Sequence, residues 1–283
     1  MTSLHYPTET RVFQVNGIAI QATVSGAGRP VLMLHGWPLT SHMWRLVTPA
    51  LVAAGCRVIA PDLRGIGGSG RPDTGYDVDT VSEDMAQLLA ALDIAGAMVV
   101  GIDLGAPVAW MLAMRHPTLV SRLVVMEAML GRLPGAEAFL ANGAPWWFGF
   151  HAVPGLAENL LEGHEADYLG WFFSVRAPDQ QPIDPAAQAV YAAAYAGREA
   201  LRGGFEHYRA MPLSARQIAA MAASRRLAQP TLAIAGGVIG EALYRQLQPL
   251  SDQLSACRIA RCGHNIPEEQ PDALARALIE FLA

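Results

Sequence analysis

The sequence predicts an α/β protein with a mostly parallel sheet and a helical insertion. Three observations carry that reading. Continuous apolar runs of strand length, "PVLMLHG" (30–36), "RVIAPDLRG" (57–65) and "VVG" (99–101), alternate with amphipathic, helix-like stretches. Strands buried on both faces have this look, and the helices between them serve as crossovers. The rhythm then breaks from Leu130 to Arg226, where Ala, Trp, Phe and Tyr abound and no buried strand is legible. It resumes at "QPTLAIAGG" (229–237) and continues through "ACRIARCGH" (256–264). Residues 1–129 and 227–283 are therefore expected to form one core, and 130–226 a helical insertion within it.

The elements follow in order. "RVFQVNGIAIQATVSG" alternates around Asn16-Gly17, a hairpin signal. "SHMWRLVTPALVAAG" reads as one helix stopped by Gly55. "DTVSEDMAQLLAALD" puts Val81, Met85, Leu88, Leu89 and Leu92 on one helical face. "SRLVVMEAM" (121–129) is a further strand, and "PDALARALIEFL" closes the chain as an amphipathic helix.

With 283 residues, 52% of them hydrophobic and 16% charged, the chain has ample material for one large core. The net charge of −5 is spread without long runs, which argues against a nucleic-acid or membrane-surface partner. No apolar run reaches the roughly 18 residues of a membrane span. "MTSLHYPTET" lacks the basic and apolar regions of a leader, so a cytoplasmic location is expected. Cys56, Cys257 and Cys262 show no metal-ligand spacing and read as buried or free thiols in a reducing compartment.

The chemistry centres on "GIDLG" (101–105), where a buried strand runs directly into a helix. The frame Gly-x-nucleophile-x-Gly at such a junction is a nucleophile elbow, and its middle residue is usually Ser. Here it is Asp103. A carboxylate attacking an acyl carbon would give an anhydride. Attack on a saturated electrophilic carbon gives an alkyl ester that water can hydrolyse. On this frame alone, an Asp that caps the next helix is an equally open reading.

Partners favour the nucleophile. "CGHNIPEEQP" sets His264 after the last apolar strand and before the final helix, where a general base would activate water. A carboxylate should orient that imidazole. Glu127, in the apolar strand end "VVMEAM", is the preferred candidate, because a carboxylate there is costly to bury without a partner. Glu241, beyond "TLAIAGG", arrives late in its loop and is the second choice. "HGWP" (35–38) would bring the Trp37 N–H toward the elbow, to pair with that of Leu104 as an oxyanion hole.

In ensemble, "HGWP", "PDLRGIGGSGRP", "GIDLG" and "CGHNIPEEQP" resemble the Asp-nucleophile epoxide hydrolases and dehalogenases of the α/β-hydrolase fold, over most of the chain. Glu127 in "VVMEAM" is similar to one bacterial epoxide hydrolase subgroup. The resemblance implies an eight-stranded sheet, a helical cap over its carboxyl edge, and a two-step mechanism through an alkyl-enzyme ester, with no metal and no organic cofactor. It also implies acids on the cap that protonate the epoxide oxygen. "GGFEHYRAM" matches the stretch carrying one such tyrosine, which falls on Tyr208, placed by this reading at a helix end. The second donor should fall in "PWWFGFHAVPG", where Trp147 stands beside Trp146 and an indole can donate a hydrogen bond but no proton. His151 and His207 lie close by and remain open as donors or pocket residues. The paired tryptophans point to a small-molecule substrate with a bulky aromatic body. A homodimer is left open.

Halide chemistry is the runner-up. The Asn and Trp that usually hold the halide are replaced by Trp37 and Leu104. The arginines of fluoroacetate-type enzymes are replaced by Leu104 and Pro107. A non-catalytic small-molecule binder on the same fold is the third reading. It leaves the charged set Asp103, His264 and Glu127 without a purpose.

Overall fold

The computed structural model describes residues 6–175 and 183–283; residues 1–5, the start of the stretch read for a leader, lie outside the described residues. β1 (Thr8–Val15) and β2 (Ile18–Gly26) form the expected hairpin, pairing antiparallel with Val15 opposite Ile18. Asn16 and Gly17 make its turn at φ 47° and 76°, the left-handed backbone that these two residue types tolerate best.

β3 (Arg29–Leu34) leads to a turn of 3-10 helix at Ser41–Trp44 and then to α1 (Thr48–Ala53). The single helix read from "SHMWRLVTPALVAAG" is thus two pieces. Pro49 has no N–H to continue a helix and fits only its first turn, so a new helix starts there. β4 (Cys56–Pro61) and α2 (Val78–Ala91) follow. The side chain of Asp77 caps α2 by accepting the Thr80 N–H at 3.2 Å. All five apolar residues assigned to its inner face are buried. β5 (Ala97–Ile102), α3 (Gly105–Arg115) and β6 (Val120–Met126) complete the first half.

Between β6 and β7 the described chain runs through turns from 127 to 145, short of the helix expected from Leu130, and is then mainly helical: α4 (Trp146–Ala152), α5 (Leu156–Leu161), α6 (Glu165–Val175), α7 (Pro185–Ala194) and α8 (Arg198–Ser224). The sheet then resumes with β7 (Thr231–Ala235), α9 (Ala242–Leu247) and β8 (Leu254–Arg258). It is followed by α10 (Ile266–Glu269) and α11 (Pro271–Leu282).

The eight strands lie in the order β1-β2-β4-β3-β5-β6-β7-β8. β2 joins β4 antiparallel, and every pairing from β4 to β8 is parallel. The strand order reverses between β3 and β5, because β4 goes to one side of β3 and β5 to the other. Ligands in open α/β sheets bind at such a switch point, beyond the carboxyl ends of the strands. The loops carrying Trp37 and Asp103 leave β3 and β5 there.

Alternate residues of the central strands feed two cores. Leu32, Val99 and Val125 pack with α2 and α3, while Met33, Val100 and Val124 pack with α1 and α11. The second core extends through Trp37 to Phe172, Phe205 and Tyr208 of the helical segment. Each such fully buried apolar side chain contributes about 1.5–3 kcal/mol. α8 crosses the loop after β4 at its closest at Gly203, where an added Cβ would lie 2.1 Å from the Gly65 carbonyl oxygen.

Candidate active site

The elbow is built by close approach. An added Cβ at Gly101 would lie 2.3 Å from the Gly105 carbonyl oxygen, and one at Gly105 would lie 2.4 Å from that of Leu34. With both positions bare, β5 can turn straight into α3, and Asp103 sits on the turn at φ 51°. A non-glycine residue there costs about 1–2 kcal/mol, held by the surrounding structure. Its carboxylate meets two groups at once. The Trp37 backbone N–H donates to Oδ1 at 2.9 Å, and Oδ2 stands 3.2 Å from His264 Nε2. Leu104, whose N–H is the other expected donor, follows Asp103 at the start of α3 and lines the same cavity.

His264 is buried, and its Nδ1 stands 3.4 Å from Glu127 Oε2. Glu127 follows β6 as Asp103 follows β5, also at positive φ (42°). Its oxygens accept the N–H groups of Gly236 at 2.6 Å and Ile239 at 3.0 Å. The loop after β7 therefore supplies backbone donors that stabilise a buried carboxylate. Glu241, the second choice from sequence, is exposed and pairs with Arg245 at 2.9 Å. His35 holds the Trp37 turn, its Nδ1 donating to the Gly36 carbonyl at 3.0 Å and its Nε2 accepting the Leu63 N–H at 2.9 Å. Burial lowers its pKa, which keeps Nε2 an acceptor.

These groups open onto a cavity of about 300 Å³. Trp147, Phe148 and Phe139 form part of its wall, and Tyr208 and His207 face it from α8. Tyr208 lies in the middle of that 27-residue helix, a correction to the helix end read from sequence. Pro212 breaks the local pattern without ending the helix, because packing against the core holds both sides of it. His207 Nε2 donates to the Arg64 carbonyl at 2.8 Å, and burial pulls its pKa down to about 4. Arg64 in turn makes a buried two-pronged pair with Asp84, at 2.6 and 2.8 Å. α8 is thereby tied to α2 and to the loop after β4.

Two residues expected at the pocket stand elsewhere. Trp146 is 54% exposed, packed edge-on against Trp171 on the outer face. Trp146 and Trp147 are neighbours on α4, about 100° apart, so only one can face inward. His151 is fully buried outside the cavity wall, its Nε2 hydrogen-bonded to the Tyr168 hydroxyl at 2.6 Å and its ring stacked on Phe205. Other wall residues, including Met211, Ala215 and Ile218, have no place in the sequence reading. The spacing 207, 211, 215, 218 is a helical stripe and was available as their signal. Among the described residues no cluster of His, Cys, Asp and Glu could hold a metal ion, and no helix is long and apolar enough to cross a membrane.

The strand-turn-helix elbow at Asp103, His264 after β8 and the Trp37 N–H after β3 all fall within residues 29–271, which match one family profile, the alpha/beta hydrolase fold. The chain belongs to the alpha/beta hydrolase family. It is 29% identical over 276 residues to the soluble epoxide hydrolase of Corynebacterium sp. strain C12, covering 95% of each chain. It is 28% identical to the fluoroacetate dehalogenase of a Burkholderia species, covering 97% of this chain and 94% of the relative. Among solved structures it resembles Cfl2 of Burkholderia cenocepacia (TM-score 0.88, 32% identity, 99% of each chain). It likewise resembles the epoxide hydrolase CorEH (TM-score 0.85, 27% identity, 98% of this chain and 99% of that one). This alpha/beta hydrolase carries Asp where many members of the fold carry the serine.

Proposed function

We propose that this alpha/beta hydrolase converts epoxides to vicinal diols through an alkyl ester on Asp103. One observation carries the reading. The nucleophile position holds a carboxylate at the cavity wall, whose Oδ1 rests on the Trp37 N–H and whose Oδ2 meets His264. In this reading residues 130–226 cap the core formed by 1–129 and 227–283. The relatives named as epoxide hydrolases support it.

In the first step Asp103 Oδ2 attacks an epoxide carbon. The carbon–oxygen bond of the ring breaks, and its electron pair stays on the epoxide oxygen. Tyr208 delivers its phenolic proton to that oxygen, while the Trp147 N–H polarises it. Oδ1 becomes the ester carbonyl, already beside the Trp37 N–H. In the second step His264 takes a proton from water, which attacks the carbonyl carbon of Asp103. The Trp37 and Leu104 N–H groups hold the oxyanion, and Glu127 stabilises the imidazolium. Collapse expels the new alkoxide of the diol, which takes the proton from His264, and leaves Asp103 as a carboxylic acid. Its remaining proton, the second one brought by the water, passes through solvent to the Tyr208 phenolate, which restores both the Asp103 carboxylate and the Tyr208 phenol. The aromatic wall of Trp147, Phe148 and Phe139 suits a bulky aryl substituent.

Dehalogenation is the second reading, favoured by the fluoroacetate dehalogenase relative and by an indole in the cavity wall. Against it, Leu104 and Pro107 line the cavity where cationic side chains are expected. Intact-protein mass spectrometry of His264→Gln, exposed to aryl epoxides and alkyl halides, separates the two. A gain of one whole epoxide mass is expected. A gain of the alkyl group alone, with halide released, would replace epoxide hydrolysis by dehalogenation, and no adduct from folded protein would overturn both.

A further inference from the structure

The imidazole of His264 makes long contacts with both carboxylates, 3.2 Å to Asp103 and 3.4 Å to Glu127. The short contacts in this loop are on its backbone. Glu269, at the end of α10, folds its side chain back under the loop. Its Oε2 accepts the Gly263 N–H at 2.5 Å, and its Oε1 accepts the Asn265 N–H at 2.7 Å. The two donors are the residues on either side of His264. Glu269 is itself buried, next to the Cys262 thiol, and both residues pack under the loop. A desolvated carboxylate is costly unless its hydrogen bonds are worth the burial. Here both oxygens are committed to one tripeptide.

We propose that Glu269 is a positioning residue for ester hydrolysis. Its carboxylate fixes the peptide groups before and after His264 and so aims the imidazole at the water that attacks the Asp103 ester. The inference rests on the two-step reading above. A residue that only stabilised the fold would lower the active fraction and slow both steps alike. A residue that aims the base slows the second step selectively, since the first needs only the Asp103 carboxylate and a proton donor.

The test is rapid-quench kinetics with styrene oxide on wild type, Glu269→Gln and Glu269→Ala, following alkyl-enzyme and diol separately. Gln keeps the shape and one acceptor and carries the measurement where Ala fails to fold. For Ala, ester hydrolysis is expected to slow by about 10²-fold while ester formation stays within about 3-fold of wild type; Gln falls between. The ester then accumulates, and kcat and KM drop together, leaving kcat/KM nearly unchanged. Removing a negative charge near His264 also shifts the basic-group limb of the kcat–pH profile to lower pH. Equal slowing of both steps, or unchanged hydrolysis in folded Glu269→Gln, would overturn the proposal and leave the epoxide reading intact. Wild type that hydrolyses the epoxide without forming an ester would overturn the two-step reading itself.

Discussion

At the carboxyl edge of the sheet, Asp103, Glu127 and His264 stand just beyond β5, just beyond β6 and on the loop after β8, and the carboxylates among them are held by backbone N–H groups. Across the cavity, Trp147 and Tyr208 stand on helices and are held among other rings, Tyr208 at 5.6 Å from Trp37 and 4.5 Å from His151 between centroids. Backbone donors on a sheet have one geometry. Aromatic edge contacts, worth about 0.5–1.5 kcal/mol each, tolerate several. The comparison teaches that one wall of the site is built for charge and fixed position, and the other for shape. His207 joins the two, reaching from α8 to the Arg64 carbonyl at 2.8 Å.

If the comparison holds, substitutions on the sheet side cost most. Glu127→Gln removes the negative charge behind His264 and turns an amide N–H toward Gly236 or Ile239. Steady-state turnover of an aryl epoxide should fall about 10³–10⁴-fold, as when the acid of a triad is neutralised. A loss under 10-fold would mean that the helical side shares the burden of orienting His264. Tyr208→Phe removes a proton donor and keeps the ring. Epoxide opening, read in a single turnover, should slow about 10²–10³-fold, with hydrolysis of a preformed ester unchanged.

The bridging residue predicts a pH effect on stability. Burial holds the His207 pKa at about 4 in the folded protein, below the ordinary 6.5. Between those values the unfolded chain binds more protons than the folded one, so stability rises with pH across the window and is lost as pH falls through it. The loss amounts to about 3 kcal/mol by pH 4. Urea titrations of His207→Gln, which keeps a donor in reach of Arg64, should show a flatter slope between pH 4 and 6.5 than wild type. The smallest effect belongs to Trp146→Ala. At 54% exposure, outside the cavity, it should cost less than about 1 kcal/mol and leave kcat/KM within about 2-fold.

The same contrast explains what the sequence disclosed. The elbow and the His264 loop are local patterns, because a strand-turn-helix junction fixes its geometry within a few residues. Glu127 was legible because a carboxylate ending so apolar a strand needs a partner, whereas its two backbone donors come from a loop more than a hundred residues away. The helical character of the segment was legible, but the choice of Trp147 over Trp146 for the cavity depends on how α4 packs on α8. His151 looked like a pocket group and is a buried partner of Tyr168, since nothing in the string brings α6 against α4. Glu269 was one acid in "PEEQ", and only the folded loop separates its role from that of Glu268, which pairs with Arg45 at 2.9 Å.

The central claim is that water opens an ester at Asp103 and never attacks the epoxide directly. Wild-type protein should be turned over many times with an aryl epoxide in water enriched in the heavy oxygen isotope, then digested and analysed by peptide mass spectrometry. The account predicts heavy oxygen in the Asp103 carboxylate, and unlabelled diol in the first turnover. Heavy oxygen in the diol from the first turnover, with an unlabelled Asp103, would contradict it.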